Sequence, residues 1–181
     1  MAADNTTNRA FSEPPGRSNL QNRSSTPNKT KLDEIDLQIL RQLQKNAKIT
    51  NAALAKQIGI SPPSTLERVK KLEAKGIINR YVAILDGSMV SRGTVALVSV
   101  TLREHGIDPL ETLKQRITAF PEVLACWHTA GDEDFILKVV VKDMNEYEDF
   151  VTHKLSSLPH IGRIRTTFVL STVKETTEFL L

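Results

Sequence analysis

Residues 50–76 read TNAALAKQIGISPPSTLERVKKLEAKG, two short helical patterns joined at a glycine, and the rest of the chain is read outward from them. Thr50 is placed to cap the first helix, because its hydroxyl can accept one of the amides that a helix start leaves without a partner. Ile49 and Leu54 can staple that start, and Leu54 and Ile58 follow one turn apart on one face. Gly59 can adopt the left-handed conformation that ends a helix. Ser61 then caps a second helix with Pro62 at its first position, where a missing N–H costs nothing.

Along this second helix Leu66, Val69 and Leu72 are expected to pack inward, and Gly76 marks the stop. The opposite face is Pro63, Ser64, Thr65, Arg68 and Lys71. Two helices joined so tightly form a helix–turn–helix, whose second helix lays its first turns in the DNA major groove, where hydroxyls, methyls and guanidinium groups meet base edges. Between Leu66 and Lys75 the basic residues Arg68, Lys70, Lys71 and Lys75 outnumber Glu67 and Glu73. A solvated amphipathic helix would carry the same pattern.

Charge is distributed unevenly along the 181 residues: four basic against two acidic groups in 1–30, ten against five in 31–82, and ten against fourteen in 83–181. A basic first half joined to an acidic second half is the balance expected if only the first meets phosphate. With 25% charged and 40% hydrophobic residues the composition is that of an ordinary soluble protein of one or two domains. No run approaches the ~18 apolar residues of a membrane span, and the N-terminus lacks a basic-then-apolar signal segment. A cytoplasmic protein is expected. The single cysteine, Cys126, has no intramolecular disulfide partner and no neighbour for a zinc site.

Residues 1–30 are rich in Asn, Ser and Thr and interrupted by Pro14, Pro15 and Pro27, which reads as a disordered tail. Apolar positions 32, 35, 39, 40 and 43 mark a helix that Asp33 can cap, so that three helices form one unit over 31–85. Ile77, Ile78, Tyr81, Val82, Ile84 and Leu85 continue as an extended segment, which suggests a winged helix. Residues 86–93, DGSMVSRG, have the glycines and polar groups of a linker.

From 94 to 181 the period alternates between strand and helix: strands at 94–102, 123–129, 135–141 and 164–173, a helix at 109–120, and a second helix marked by Met144, Tyr147, Val151, Leu155 and Leu158. The order β-α-β-β-α-β is that of a ferredoxin-like sandwich, so the fold class is α+β. Helices cover one face of such a sheet. Val95 and Leu97 point away from that face, and the third strand is apolar in both registers. A second cover is needed, and a second copy of the chain is the simplest, so a homodimer built through this domain is expected. Two recognition helices would then lie ~34–36 Å apart along one DNA site, or at a multiple of that distance.

The run LDEIDLQILRQLQKNAKITNAALAKQIGISPPSTLERVKKLEAKGII, followed by AGDEDFILKV and LPHIG, resembles the leucine-responsive regulator and asparagine synthetase C regulator family, Lrp/AsnC. The resemblance covers residues 32–181. It implies a bacterial or archaeal transcription regulator, nucleoid-associated, that dimerises through its C-terminal domain, often assembles into octamers, and binds a free amino acid, such as leucine or another small one, between neighbouring dimers. By similarity the DNA-contacting segment is 51–70, which adds Asn51, Ser61 and Lys70 to the residues above. The effector loop is 129–134, with Thr129, Gly131, Asp132 and Asp134 as the implied contacts. An α-ammonium suits a carboxylate, and a glycine lets backbone approach a small ligand closely. The same Gly-Asp pair also suits a plain polar hairpin.

Two departures stand out: Glu133 occupies a position that is usually aromatic, and His160-Ile161 replaces a glycine-valine pair, which leaves Gly162 to supply the turn. Cys126 and His128 share a strand face, but two ligands do not make a metal site. No phosphate-binding glycine loop, nucleophile motif or further carboxylate pair supports an enzyme, and no cofactor is implied. Two other readings fit parts of the pattern: an architectural protein that coats DNA through charge, and a metabolite-sensing module without specific DNA binding.

Overall fold

The computed structural model describes residues 31–103 and 107–181. The tail expected at 1–30 and His105 lie outside the described residues. The described chain forms two compact units, one running to Ile78 and including Phe179–Leu181, the other Asn79–Glu178.

The first unit has three helices: α1 (Glu34–Lys45), α2 (Asn51–Ile58) and α3 (Pro62–Ala74). Each begins where the sequence supplies a cap. Asp33 accepts from the Asp36 amide at 2.8 Å while Asp36 reaches back to the Asp33 amide, a reciprocal capping box. Thr50 accepts from Ala53 and Ser61 from Ser64. Gly59 ends α2 at φ 79°, and its amide donates to the Ala55 carbonyl. Ile39, Leu40, Leu54, Val69 and Leu72 form the core, and Ile77 and Ile78 pack against it from beyond α3. Each fully buried aliphatic side chain in such a core contributes about 1.5–3 kcal/mol.

Two sequence expectations are corrected in this unit and just beyond it. Thr65 is fully buried whereas Leu66 is 39% exposed. The inward stripe of α3 is therefore Thr65, Val69 and Leu72, because a 3.6-residue turn carries the core face from 65 to 69 to 72, while a run of threes drifts off it. The expected wing segment also differs in detail. Residues 79–86 form no ladder pairs among the described residues, and 81–85 are exposed.

In the second unit a short 3₁₀ turn, Gly87–Val90, lies within the stretch read as a linker. It leads into β1 (Thr94–Leu102), α4 (Ile107–Ile117), β2 (Val123–His128), β3 (Phe135–Val141), α5 (Met144–Asp149) and β4 (Ile161–Phe168). The four strands are antiparallel in the order β2-β3-β1-β4, the topology expected for β-α-β-β-α-β. Helix α5 continues as a π-turn, Phe150–Leu155, which buries Phe150 and Leu155 and leaves Lys154 to meet the buried Glu122 at 2.5 Å.

Alternation along β1 and β3 decides the two faces. Ala96, Val98, Val100, Leu102, Phe135, Leu137, Val139 and Val141 are buried and pack with Leu113, Ile117, Tyr147 and Phe150 in one core. Strand β4 starts three residues earlier than its periodicity suggested and ends at Phe168. The turn before it is made by His160, at φ 65°, rather than by Gly162. Gly162 instead permits a close approach. A Cβ there would lie 3.1 Å from main-chain atoms of Thr101, Leu102 and Arg103, beside the bulge in β1.

Candidate DNA interface and effector site

In the helix–turn–helix unit, the residues proposed to meet DNA fall into two groups. Asn51, Ser61, Pro63, Lys70 and Lys71 are exposed, and Ser64 is half-buried. Thr65 and Arg68 face inward or sideways. The Thr65 hydroxyl donates to the Ser61 carbonyl at 3.1 Å, so it closes the first turn of α3 and has no access to a base. Arg68 reaches across to α1, with Nη1 2.6 Å from Asp33 and 2.7 Å from Asp36. A guanidinium held by two carboxylates orients α3 on α1. The same cluster holds the Asp33 carboxyl below its ordinary value, first through the Asp36 amide and then through Arg68.

In the other unit, the loop 129–134 connects β2 to β3. The Thr129 hydroxyl donates to the Glu133 carbonyl at 2.6 Å, and the Thr129 amide donates to the Asp134 carbonyl. The Asp134 carboxylate accepts from the Leu102 amide at 2.7 Å, and its own amide donates to Val100. Thr129 and Asp134 therefore hold the loop against the end of β1. Gly131 adopts φ 155°, a conformation that an L side chain rarely takes. That leaves Asp132 exposed at the tip.

Beneath the loop, on the sheet face opposite the helices, lies a cavity of about 200 Å³ lined by Ser99, Thr101, Asp132, Glu133, Arg163 and Arg165. Strand pairing builds its floor, since Ser99 lies opposite Arg165 and Thr101 opposite Arg163. Arg165 pairs with Glu133. Among the described residues Asp132 and Arg163 make no ion pair, so one carboxylate and one guanidinium are available in one small space. Sequence reading missed Ser99, Thr101, Arg163 and Arg165. The alternation R-I-R-T-T in β4 signals that both arginines share a face, but not that the loop overhangs them.

The remainder of this outer face is apolar except for Lys138, opposite Leu97, which pairs with Glu175. Leu97 is 39% and Trp127 50% exposed, with Val95, Ile136 and Val140 half-buried beside them. Part of it is overlain by the chain itself, since Ala83, Ile84, Leu85 and Val90 line a cavity of about 720 Å³ together with Val95, Leu124 and Val140. On the helix side of the sheet Cys126 is half-buried and burial pushes its thiol up to about 11. The His128 ring lies 5.1 Å from that of Phe135.

Both units match known families. The winged helix-turn-helix DNA-binding model matches residues 32–79, and the Lrp/AsnC ligand binding domain matches 95–179. The leucine-responsive regulatory protein of Rhizobium meliloti is 35% identical over 147 residues, spanning 81% of this chain and 94% of that protein. The Bkd operon transcriptional regulator of Pseudomonas aeruginosa is 38% identical over 142 residues, 78% of this chain and 93% of its own. Among solved structures, a transcriptional regulator from Neisseria meningitidis in complex with L-Met superposes with a TM-score of 0.80 at 34% identity, covering 83% of this chain and 97% of that one.

A DNA-binding helix–turn–helix joined to a ligand-binding sandwich defines a transcription regulator rather than an enzyme. The chain belongs to the Lrp/AsnC family. No helix among its described residues is long and apolar enough to cross a membrane.

Proposed function

We propose that this regulator reads specific DNA sequences through the start of α3 and that a free amino acid, held under the loop 129–134, alters its DNA binding or assembly. The observation that carries this reading is the 200 Å³ cavity, which holds Asp132 and Arg163 without ion-pair partners among the described residues. A free amino acid is a zwitterion. Its ammonium suits Asp132 and its carboxylate suits Arg163, with charge-assisted hydrogen bonds at both ends. Gly131 gives the loop its reach, and Thr129 and Asp134 keep it in place. The relatives include a leucine-responsive regulator and one solved with L-Met, which supports the same ligand class.

In this reading Asn51, Ser61, Pro63, Ser64, Lys70 and Lys71 meet DNA, with the lysines on phosphate, while Thr65 and Arg68 shape the unit that carries them. The apolar outer face at Leu97, Trp127 and Val140 is the surface for a second copy of the chain, and residues 94–181 are the assembly and effector module. Such a regulator works in the cytoplasm, on the nucleoid.

The test is fluorescence anisotropy against DNA from upstream of its own gene and against a shuffled control, over a salt series, with and without each amino acid. Preference for the native fragment that shifts with one amino acid is the expected result. Equal, steeply salt-dependent binding to both DNAs, unaffected by any amino acid, would support an architectural coat instead.

A further inference from the structure

Which bases α3 can read depends on the side chains it turns outward. Thr65, Val69 and Leu72 are buried and fix the inner side of the helix. At about 100° per residue, Pro63, Glu67 and Lys70 leave from the opposite side, and all three are exposed. Thr65 has turned in onto the Ser61 carbonyl, and Arg68 is held by Asp33 and Asp36. Lys70 and Lys71 suit phosphate. The Glu67 carboxylate is left as the strong hydrogen-bonding group at the centre of the outward face.

Among the described residues Glu67 forms no ion pair, although Lys70 and Lys71 follow it at the spacing where helical pairs form. A carboxylate on a surface that meets phosphate is repelled by it, so it needs a donor there or acts only to repel. The major groove offers two amino donors, N4 of cytosine and N6 of adenine. Beside adenine N6 lies the acceptor N7, which suits a carboxamide better than two acceptor oxygens. Cytosine shows its donor with no acceptor on the same base. The flanking lysines supply the positive charge that lets a carboxylate enter the groove.

We infer that Glu67 reads a base, accepting a hydrogen bond from the N4 amino group of cytosine, so that each recognition helix selects a C·G pair at one position. This rests on the reading of α3 as the helix that enters the major groove of specific DNA. It goes beyond that reading by giving the base contact expected of Arg68 to an acidic residue, which a count of basic groups would set against binding.

Selection from a random-sequence duplex pool with the full-length protein tests it, run in parallel on Glu67→Ala and Glu67→Gln. Both replacements suit an exposed helix position, so the fold should persist, which circular dichroism checks. The unaltered protein should select cytosine at one position in each half-site, and thymine in its place should weaken binding roughly 10-fold in anisotropy titrations. Glu67→Ala should erase that difference and leave the other positions of the site unchanged. Glu67→Gln should move the preference to adenine, since a carboxamide meets N6 and N7 together. Tighter binding of Glu67→Ala to every duplex, with the selected sequence unchanged, would overturn the inference and make Glu67 a repelling charge. A change confined to a position where the unaltered protein does not select cytosine would overturn the assignment to that base. Selection of no sequence by the unaltered protein would remove sequence-specific binding itself, and the inference with it.

Discussion

Thr65 and Arg68 show how one side chain's environment reassigns its work. Sequence reading set both on the face of α3 toward DNA. Thr65 is instead buried with its hydroxyl on the Ser61 carbonyl. Thr65→Val should lower stability by about 1 kcal/mol through loss of that hydrogen bond, with no change in DNA sequence preference, as urea denaturation and anisotropy would report. Arg68→Ala should weaken binding alike on every DNA sequence, since it loosens α3 from α1. Relaxed preference at a single base position would return Arg68 to the groove.

Acid titration offers a separate check on the same cluster. Asp33 has its folded pKa lowered from the ordinary 3.8, so the stability it contributes is present above that value and is lost as pH falls through the lower, folded value. Asp33→Asn should therefore flatten the acid limb of stability measured by urea midpoints from roughly pH 5 to roughly pH 2. At Cys126 the sign is opposite. With its thiol pushed up to about 11, the folded protein should react with iodoacetamide at about pH 8 far more slowly than the urea-unfolded chain.

At the scale of elements, caps and glycines account for most of what could be read in advance. Asp33, Thr50 and Ser61 each cap the helix assigned to them, because capping depends on the three residues that follow and on nothing distant. Gly59→Ala should cost the helix–turn–helix unit about 1–2 kcal/mol from backbone strain alone, since the space around it is open at φ 79°. Gly162→Ala should be destabilising for another reason. There the added methyl meets neighbouring main chain at 3.1 Å, and thermal unfolding should show a loss of about 1–3 kcal/mol. Assigning the turn to Gly162 failed because a glycine advertises freedom, and a sequence does not say whether that freedom serves a torsion angle or a close approach.

For the whole molecule, the outer sheet face is where a second copy of the chain is expected to pack. Leu97 and Trp127 expose apolar surface that a monomer gains nothing by showing to water. Leu97→Glu should shift the sedimenting species from a multiple of the 20.2 kDa chain toward the chain itself. Unchanged sedimentation would place assembly elsewhere.

Local chemistry determined a great deal without any structure. Periodicity set the order of helices and strands, capping set where the first three helices start, and alternation in β1 and β3 marked the face that packs against the helices and left Val95, Leu97, Ile136 and Val140 on the other. Those signals act over a few residues, so they survive in a linear string. Tertiary structure alone decided that Thr65 turns inward, that Arg68 binds α1, and that Ser99, Thr101, Arg163 and Arg165 join Asp132 and Glu133 in one cavity. Each of these depends on groups distant in the chain being brought within a few ångströms, and strand pairing and helix packing supply that proximity.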